Sequence, residues 1–188
     1  MVRAMLLPLL AAALAAASPP TDVRTVDGAN PQDAFFARLT ALCGRSFQGR
    51  LASDDPADAA FRAPATLQVR DCTADTVRMP LQVGQDRSRT WVVTRTAQGL
   101  TLKHDHRHAD GSEDVLSQYG GSTAQPGSAE RQDFPADAFS RALFERQSIP
   151  ASMANVWSLQ LRPGQLLAYE LNRPGRRFRL EFDLSRPD

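Results

Sequence analysis

The sequence predicts a mainly β protein: an antiparallel up-and-down β-barrel with an N-terminal helix and one helix before the last three strands. Three observations carry this expectation. Apolar and polar residues alternate with a period of two through about ten short segments, the pattern of half-buried strands. Gly- and Pro-containing turns separate these segments at hairpin spacing. The last third alternates most cleanly: Trp157, Leu159 and Leu161, then Leu167, Tyr169 and Leu171, then Phe178, Leu180, Phe182 and Leu184. Many short hairpin-linked strands remove their exposed edges by closing on themselves.

Taken in order, residues 1–17 read as a signal peptide. Arg3 gives a positive start, Met5 to Leu14 an apolar stretch, and Ala15-Ala16-Ala17 a small-residue cleavage site. The apolar run is short of the ~20 residues a membrane helix needs, so no membrane association is expected after cleavage. Residues 18–28 form a polar, flexible leader, and residues 29–188 a single barrel domain. Asn30 can cap a helix that starts at Pro31 and ends near Gly44, with Phe35, Phe36, Leu39 and Leu42 on its inner face.

Strands are expected at 46–53, 65–72, 77–83, 89–96 and 100–108, then 113–119 after the Asp110-Gly111 turn, and 128–134. Gly120 to Gly127 reads as a flexible loop. The second helix is expected from Pro135 to Gln147, capped near Asp133 or Phe134, with Phe139, Ala142 and Leu143 facing inward. Cys43 and Cys72 flank the open end of the hairpin formed by 46–53 and 65–69, within bridging reach, and are expected to form a disulfide. That fits an oxidising, secreted or periplasmic location.

A net charge of +1 gives no electrostatic case for nucleic acid. Lys103 is the only lysine, a bias toward arginine that fits the alanine-rich composition of a GC-rich genome.

All three histidines fall in Lys103-His104-Asp105-His106-Arg107-His108 at a spacing of two. On a strand, His104, His106 and His108 share a face with Leu100 and Leu102, while Lys103, Asp105 and Arg107 go to solvent. Residues two apart on one face lie about 6.5–7 Å apart, so His106 and His108 can chelate one metal, with Glu113 or Asp114 returning from the turn. Such a site suits zinc, copper, nickel or iron rather than calcium or magnesium. An inward histidine also suits an axial haem ligand, and three histidines that only hydrogen-bond in the core are an equally physical outcome. Asp86-Arg87-Ser88-Arg89 reads as an exposed ion-paired turn, since its serine lacks a Gly-x-Ser-x-Gly elbow. Trp91, Trp157 and Tyr169 read as core, and Arg177 to Asp183 as a solvated face with cross-strand ion pairs.

Three stretches resemble known families. Leu42 to Gly49 resembles the helix-to-first-strand opening of lipocalin-like proteins, with Gly44-x-x-Phe47 in place of their Gly-x-Trp. His106-Arg107-His108, Glu113 and Gly120 resemble the first metal motif of cupins, although no histidine exists for the second motif. The strings Gly84-x-Asp86-Arg87-Ser88-Arg89-Thr90-Trp91, Lys103 to His108, Asp110-Gly111-Ser112 and Tyr119-Gly120-Gly121 look like a group of uncharacterised secreted bacterial proteins. The functional expectation is a barrel that binds a small ligand in or at its mouth through His104, His106 and His108, with Trp91, Tyr119 and Glu113 around them. The rival is a metal-dependent, cupin-like enzyme holding its ion on His106, His108 and Glu113, with His104 or Asp114 as general acid/base. A purely structural or interaction role is the third.

Overall fold

Helix α1 (Pro31–Thr40) begins where the sequence places it: the Asn30 side chain accepts from the Gln32 N–H, and Pro31 needs no donor at the first turn. The computed structural model describes residues 30–187; the expected signal peptide and leader lie outside them. Phe35, Phe36 and Leu39 are buried on one side of α1, as their spacing requires.

Ten strands follow: β1 (Arg45–Leu51), β2 (Ala65–Val69), β3 (Thr76–Val83), β4 (Asp86–Thr96), β5 (Gly99–His106), β6 (Tyr119–Ser122), β7 (Arg131–Pro135), β8 (Val156–Arg162), β9 (Leu166–Arg173) and β10 (Arg176–Pro187). All pairs are antiparallel, and the order β6-β5-β4-β3-β2-β1-β10-β9-β8-β7 brings every strand beside its chain neighbour except β6 and β7, with β1 beside β10. This is the expected up-and-down barrel, nearly closed. It is not the double-sheet jelly roll of cupins, so that expectation is corrected at the level of topology.

The seam lies between β6 and β7, and helix α2 (Ala138–Arg146) fastens it. Gly121 bridges Ala136. The Ser140 hydroxyl donates to the Gly120 carbonyl and accepts from the Gly120 N–H, each at 2.7 Å. The strand expected at 113–119 is absent: only a single bridge joins Glu113 to Arg107, and the fifth strand pairs instead with β6, within the stretch read as a flexible loop. The glycines there serve close approach. A Cβ on Gly120 would lie 1.9 Å from the Leu102 carbonyl oxygen, and one on Gly121 1.9 Å from that of Pro135.

Helix α2 starts later than expected, capped by Asp137 through the Ser140 N–H. It buries Ser140, Leu143 and Phe144, whereas Phe139 is 50% exposed and Ala142 faces solvent. Ser140, anchored on Gly120, sets the inner face, so the buried stripe runs through Ser140, Leu143 and Phe144 rather than Phe139 and Ala142. The turns at Pro163-Gly164 and Pro174-Gly175 form as read, with positive φ at both glycines. Cys43 and Cys72 are bonded, their Cα atoms 6.3 Å apart at the open end of the β1–β2 hairpin.

The interior is filled by the inward residues of every strand, with Phe47, Leu67, Met79, Phe134, Trp157 and Phe182 among the largest fully buried. Helix α1 lies at the end marked by the β4–β5 turn, where Gln32 bonds Thr123. The opposite end carries the β3–β4 turn, the loop 107–118, a 3-10 helix (Pro56–Phe61) and α2. Among the described residues no helix is long and apolar enough to cross a membrane.

Candidate functional site

Strands β4 and β5 build the open end. Their register sets Trp91 opposite His104 and Arg89 opposite His106, so both strands direct alternate side chains into the barrel mouth. Trp91 stacks on Tyr169 of β9 with ring centroids 4.1 Å apart, and Tyr119 stacks on His104 at 4.4 Å. Phe61 of the 3-10 helix meets Phe178 edge-on at 4.8 Å. Between these rings remains a cavity of about 140 Å³, with Arg89 and Arg176 also in its lining.

His104 is the one histidine that points into the barrel, and it is 6% exposed. Its Nδ1 lies 3.0 Å from the Tyr119 carbonyl and its Nε2 2.8 Å from the Tyr169 hydroxyl. A carbonyl only accepts, so the proton sits on Nδ1 and Tyr169 donates to Nε2. Burial disfavours the imidazolium and lowers the pKa to about 4, so the ring is neutral at pH 7. Burial also holds the Tyr169 phenol well above its ordinary value. Both polar atoms of His104 are thus spent on the protein, and it offers a ligand only a ring face.

The three histidines do not form one inward row. Strand β5 ends at His106, whose Nε2 is 2.8 Å from Ser88 Oγ. His108 stands in the turn with its side chain 56% exposed. Asp105, expected in solvent, is 7% exposed, held by Arg78 at 2.7 Å and Arg107 at 2.9 Å. Register explains the fate of the expected metal set. Glu113 bridges Arg107, which puts its carboxylate with Arg107 (3.7 Å) and Gln118 (2.7 Å), away from the histidines. Asp114, whose N–H donates to the His106 carbonyl, takes the place beside them, 3.9 Å from His106 Nδ1 and 3.6 Å from His108 Nε2. The structure does not bring His106, His108 and Glu113 to a common point. No group of three His, Cys, Asp or Glu side chains able to hold a metal occurs among the described residues.

Asp86 to Arg89, expected as an exposed turn, open β4 instead, and the expected ion pairing is present between Asp86 and Arg89. Burial raises the Asp86 pKa, but hydrogen bonds from Ser88 and Arg89 outweigh it and hold the carboxyl at about 2. Arg89 Nη1 serves that pair, its guanidinium sits 5.2 Å over the Phe61 ring, and Nε and Nη2 have no hydrogen-bond partner among the described residues. Arg176, in contrast, has partners on both Nη nitrogens: it binds Asp58, Asp55 and the Arg177 carbonyl.

Sequence reasoning named Trp91, Tyr119 and His104 but missed Arg89, Arg176, Phe61 and Phe178 as cavity walls. Arg89 was findable, since it shares the inward parity of Trp91 two residues on. Phe61 was not, because it comes from a loop read only as a hairpin connection. No protein-family model, curated protein or solved structure matches the chain.

Proposed function

We propose that the protein is a secreted or periplasmic barrel that binds a small anionic ligand with a compact apolar body in the cavity at its open end. The observation that carries this reading is Arg89: a guanidinium with two unpaired nitrogens lining a cavity walled otherwise by aromatic rings, leucines and the ion-paired Arg176. Aromatic faces supply dispersion and area. A guanidinium in a partly desolvated mouth supplies charge-assisted hydrogen bonds to a carboxylate or similar group. The Tyr119 hydroxyl, with no hydrogen-bond partner among the described residues, adds a donor. At about 140 Å³ the space is well below the ~300 Å³ at which drug-sized pockets begin, which restricts the ligand to one ring or a short chain. The signal-like N-terminus and the disulfide support the location.

The test uses tryptophan emission, because Trp91 forms a wall. Benzoate, salicylate and hexanoate are titrated beside benzyl alcohol and hexanol. The reading expects a saturable change for at least one acid, at least tenfold tighter than for its alcohol, and lost in Arg89→Gln. No saturable change with any acid up to millimolar concentration overturns it. That result would favour the structural reading, which draws on the full satisfaction of His104 by protein partners.

A further inference from the structure

Beside the cavity, on the outer lip of the mouth, a second constellation stands apart from the aromatic walls. Ser88 Oγ lies 2.8 Å from His106 Nε2. On the far side of the same ring, Asp114 Oδ1 lies 3.9 Å from His106 Nδ1. An open recess is lined by Ser88, His106, Arg87 and His108. Arg87 has no ion-pair or hydrogen-bond partner among the described residues, so a free cation faces the same recess as the serine. We propose that Ser88 is a nucleophile activated by His106, with Asp114 as its positioning residue, and that the recess takes small acyl esters.

The roles follow from the geometry. A carboxylate beside Nδ1 favours the tautomer with its proton there, which leaves the Nε2 lone pair facing Ser88. At 3.9 Å the Asp114 carboxylate is beside the ring but beyond hydrogen-bond length, and catalytic distances of this kind are often loose before substrate binds. Such a site is recognised by geometry rather than by chain order or an elbow motif, which is why Asp86-Arg87-Ser88-Arg89 gave no signal as a sequence. The Ser88 hydroxyl has a competing acceptor, Asp86 Oδ1 at 2.6 Å. Moving its proton from Asp86 to His106 takes a rotation about the Cβ–Oγ bond and gives up the charge-assisted bond to Asp86, with both acceptors already in place.

In the reaction, Ser88 Oγ bonds to the ester carbonyl carbon while its proton passes to His106 Nε2. The carbonyl oxygen becomes the oxyanion, with the Arg87 charge beside it. The acyl carbon–oxygen bond to the alcohol then breaks, and His106 returns the proton to the departing alkoxide. Water attacks the acyl-serine by the same route, releasing the acid and restoring Ser88 and His106.

The experiment treats the mature protein with a monoalkyl fluorophosphonate and maps the adduct by mass spectrometry, beside p-nitrophenyl acetate turnover. The proposal expects a single adduct on Ser88 and turnover above the rate in buffer, both abolished in Ser88→Ala. His106→Gln lowers the labelling rate by about 100-fold or more, the scale of a general base. Asp114→Asn keeps the acceptor for the Leu116 N–H (2.7 Å) but removes the charge, so labelling slows while thermal stability holds, and Asp114→Glu restores the rate. Absence of a Ser88 adduct where a serine esterase in the same tube is labelled overturns the proposal. So does turnover unchanged in Ser88→Ala, a readout that survives even if the His106 variant fails to fold.

Discussion

The Tyr169 hydroxyl donates to His104 Nε2 across 2.8 Å, and with the Tyr119 carbonyl on Nδ1 it locks the buried imidazole in one neutral tautomer. The folded protein therefore resists protonating this ring until about pH 4, whereas the unfolded chain protonates it near 6.5. Between those values the unfolded state binds more protons. The contribution of His104 is fully present above about pH 6.5 and is lost as pH falls toward 4, about 3 kcal/mol in all. Denaturant unfolding at pH 7, 5.5 and 4 should show this fall. His104→Gln, which can still donate to Tyr119 and accept from Tyr169 but does not titrate, should flatten it. A slope unchanged in the variant would assign the acid sensitivity elsewhere.

Gly121 closes the barrel by having no side chain. Its φ is not in the left-handed region, so the requirement is space: a Cβ would meet the Pro135 carbonyl oxygen at 1.9 Å and the Phe134 carbonyl oxygen at 3.1 Å. Backbone cannot yield as a flexible side chain does. Gly121→Ala should cost about 2–4 kcal/mol by prising β6 from β7. Gly111→Ala is the contrast, since nothing lies within 4 Å and only its positive φ of 85° is strained; about 1 kcal/mol is expected there. Thermal melts of both variants decide. Equal losses would mean that the seam is not tightly closed in solution.

The barrel itself was legible because period-two alternation survives wherever a strand has one wet face, as in Phe178 to Leu184. The seam was not, because Gly120 and Gly121 carry the signal of a loop while serving close packing in β6. The site was half legible. Parity correctly turned His104 inward with Leu100 and Leu102, but it presumed that the strand ran on to His108. The ladder stops at His106, and beyond it the turn, not the alternation, decides direction. A one-residue difference in register then exchanges Glu113 for Asp114 beside the histidines, a distinction that no pattern of residue types contains.

The Cys43–Cys72 bond closes a loop with a sequence separation of 29 residues around the first hairpin. Loop-closure entropy for that length corresponds to about 3–4 kcal/mol against the unfolded state. The double variant Cys43→Ser/Cys72→Ser should lose about that much while keeping the fold, because the β1–β2 and β2–β3 ladders hold the hairpin independently. Chemical unfolding with and without reductant checks this. A reductant effect that persists in the double variant would mean that the stabilisation does not come from this bond.

Asp58 and Arg176 tie the 3-10 helix to the start of β10 and so set the floor of the open end. Asp58 is 1% exposed and accepts from Arg176 Nη1 and Nη2 and from the Ser53 hydroxyl at 2.9 Å. Removing one partner of a buried pair strands the other. Asp55 remains on Arg176, 3.1 Å away, and the arginine side chain is 20% exposed, so Asp58→Ala should cost about 2–4 kcal/mol rather than more. Because Phe61 rides on the same helix, the variant should also loosen the cavity and weaken acid binding. The paired replacement Asp58→Leu/Arg176→Met separates the two effects. It removes both members of the buried pair and leaves only Asp55, about a third exposed, without its partner, so stability should return close to the wild type, whereas a cavity wall once charged becomes apolar. If acid binding returns with stability, Arg89 alone supplies the charge that the ligand reads. If stability returns and binding does not, Arg176 acts on the ligand directly despite its bonds to Asp55 and Asp58.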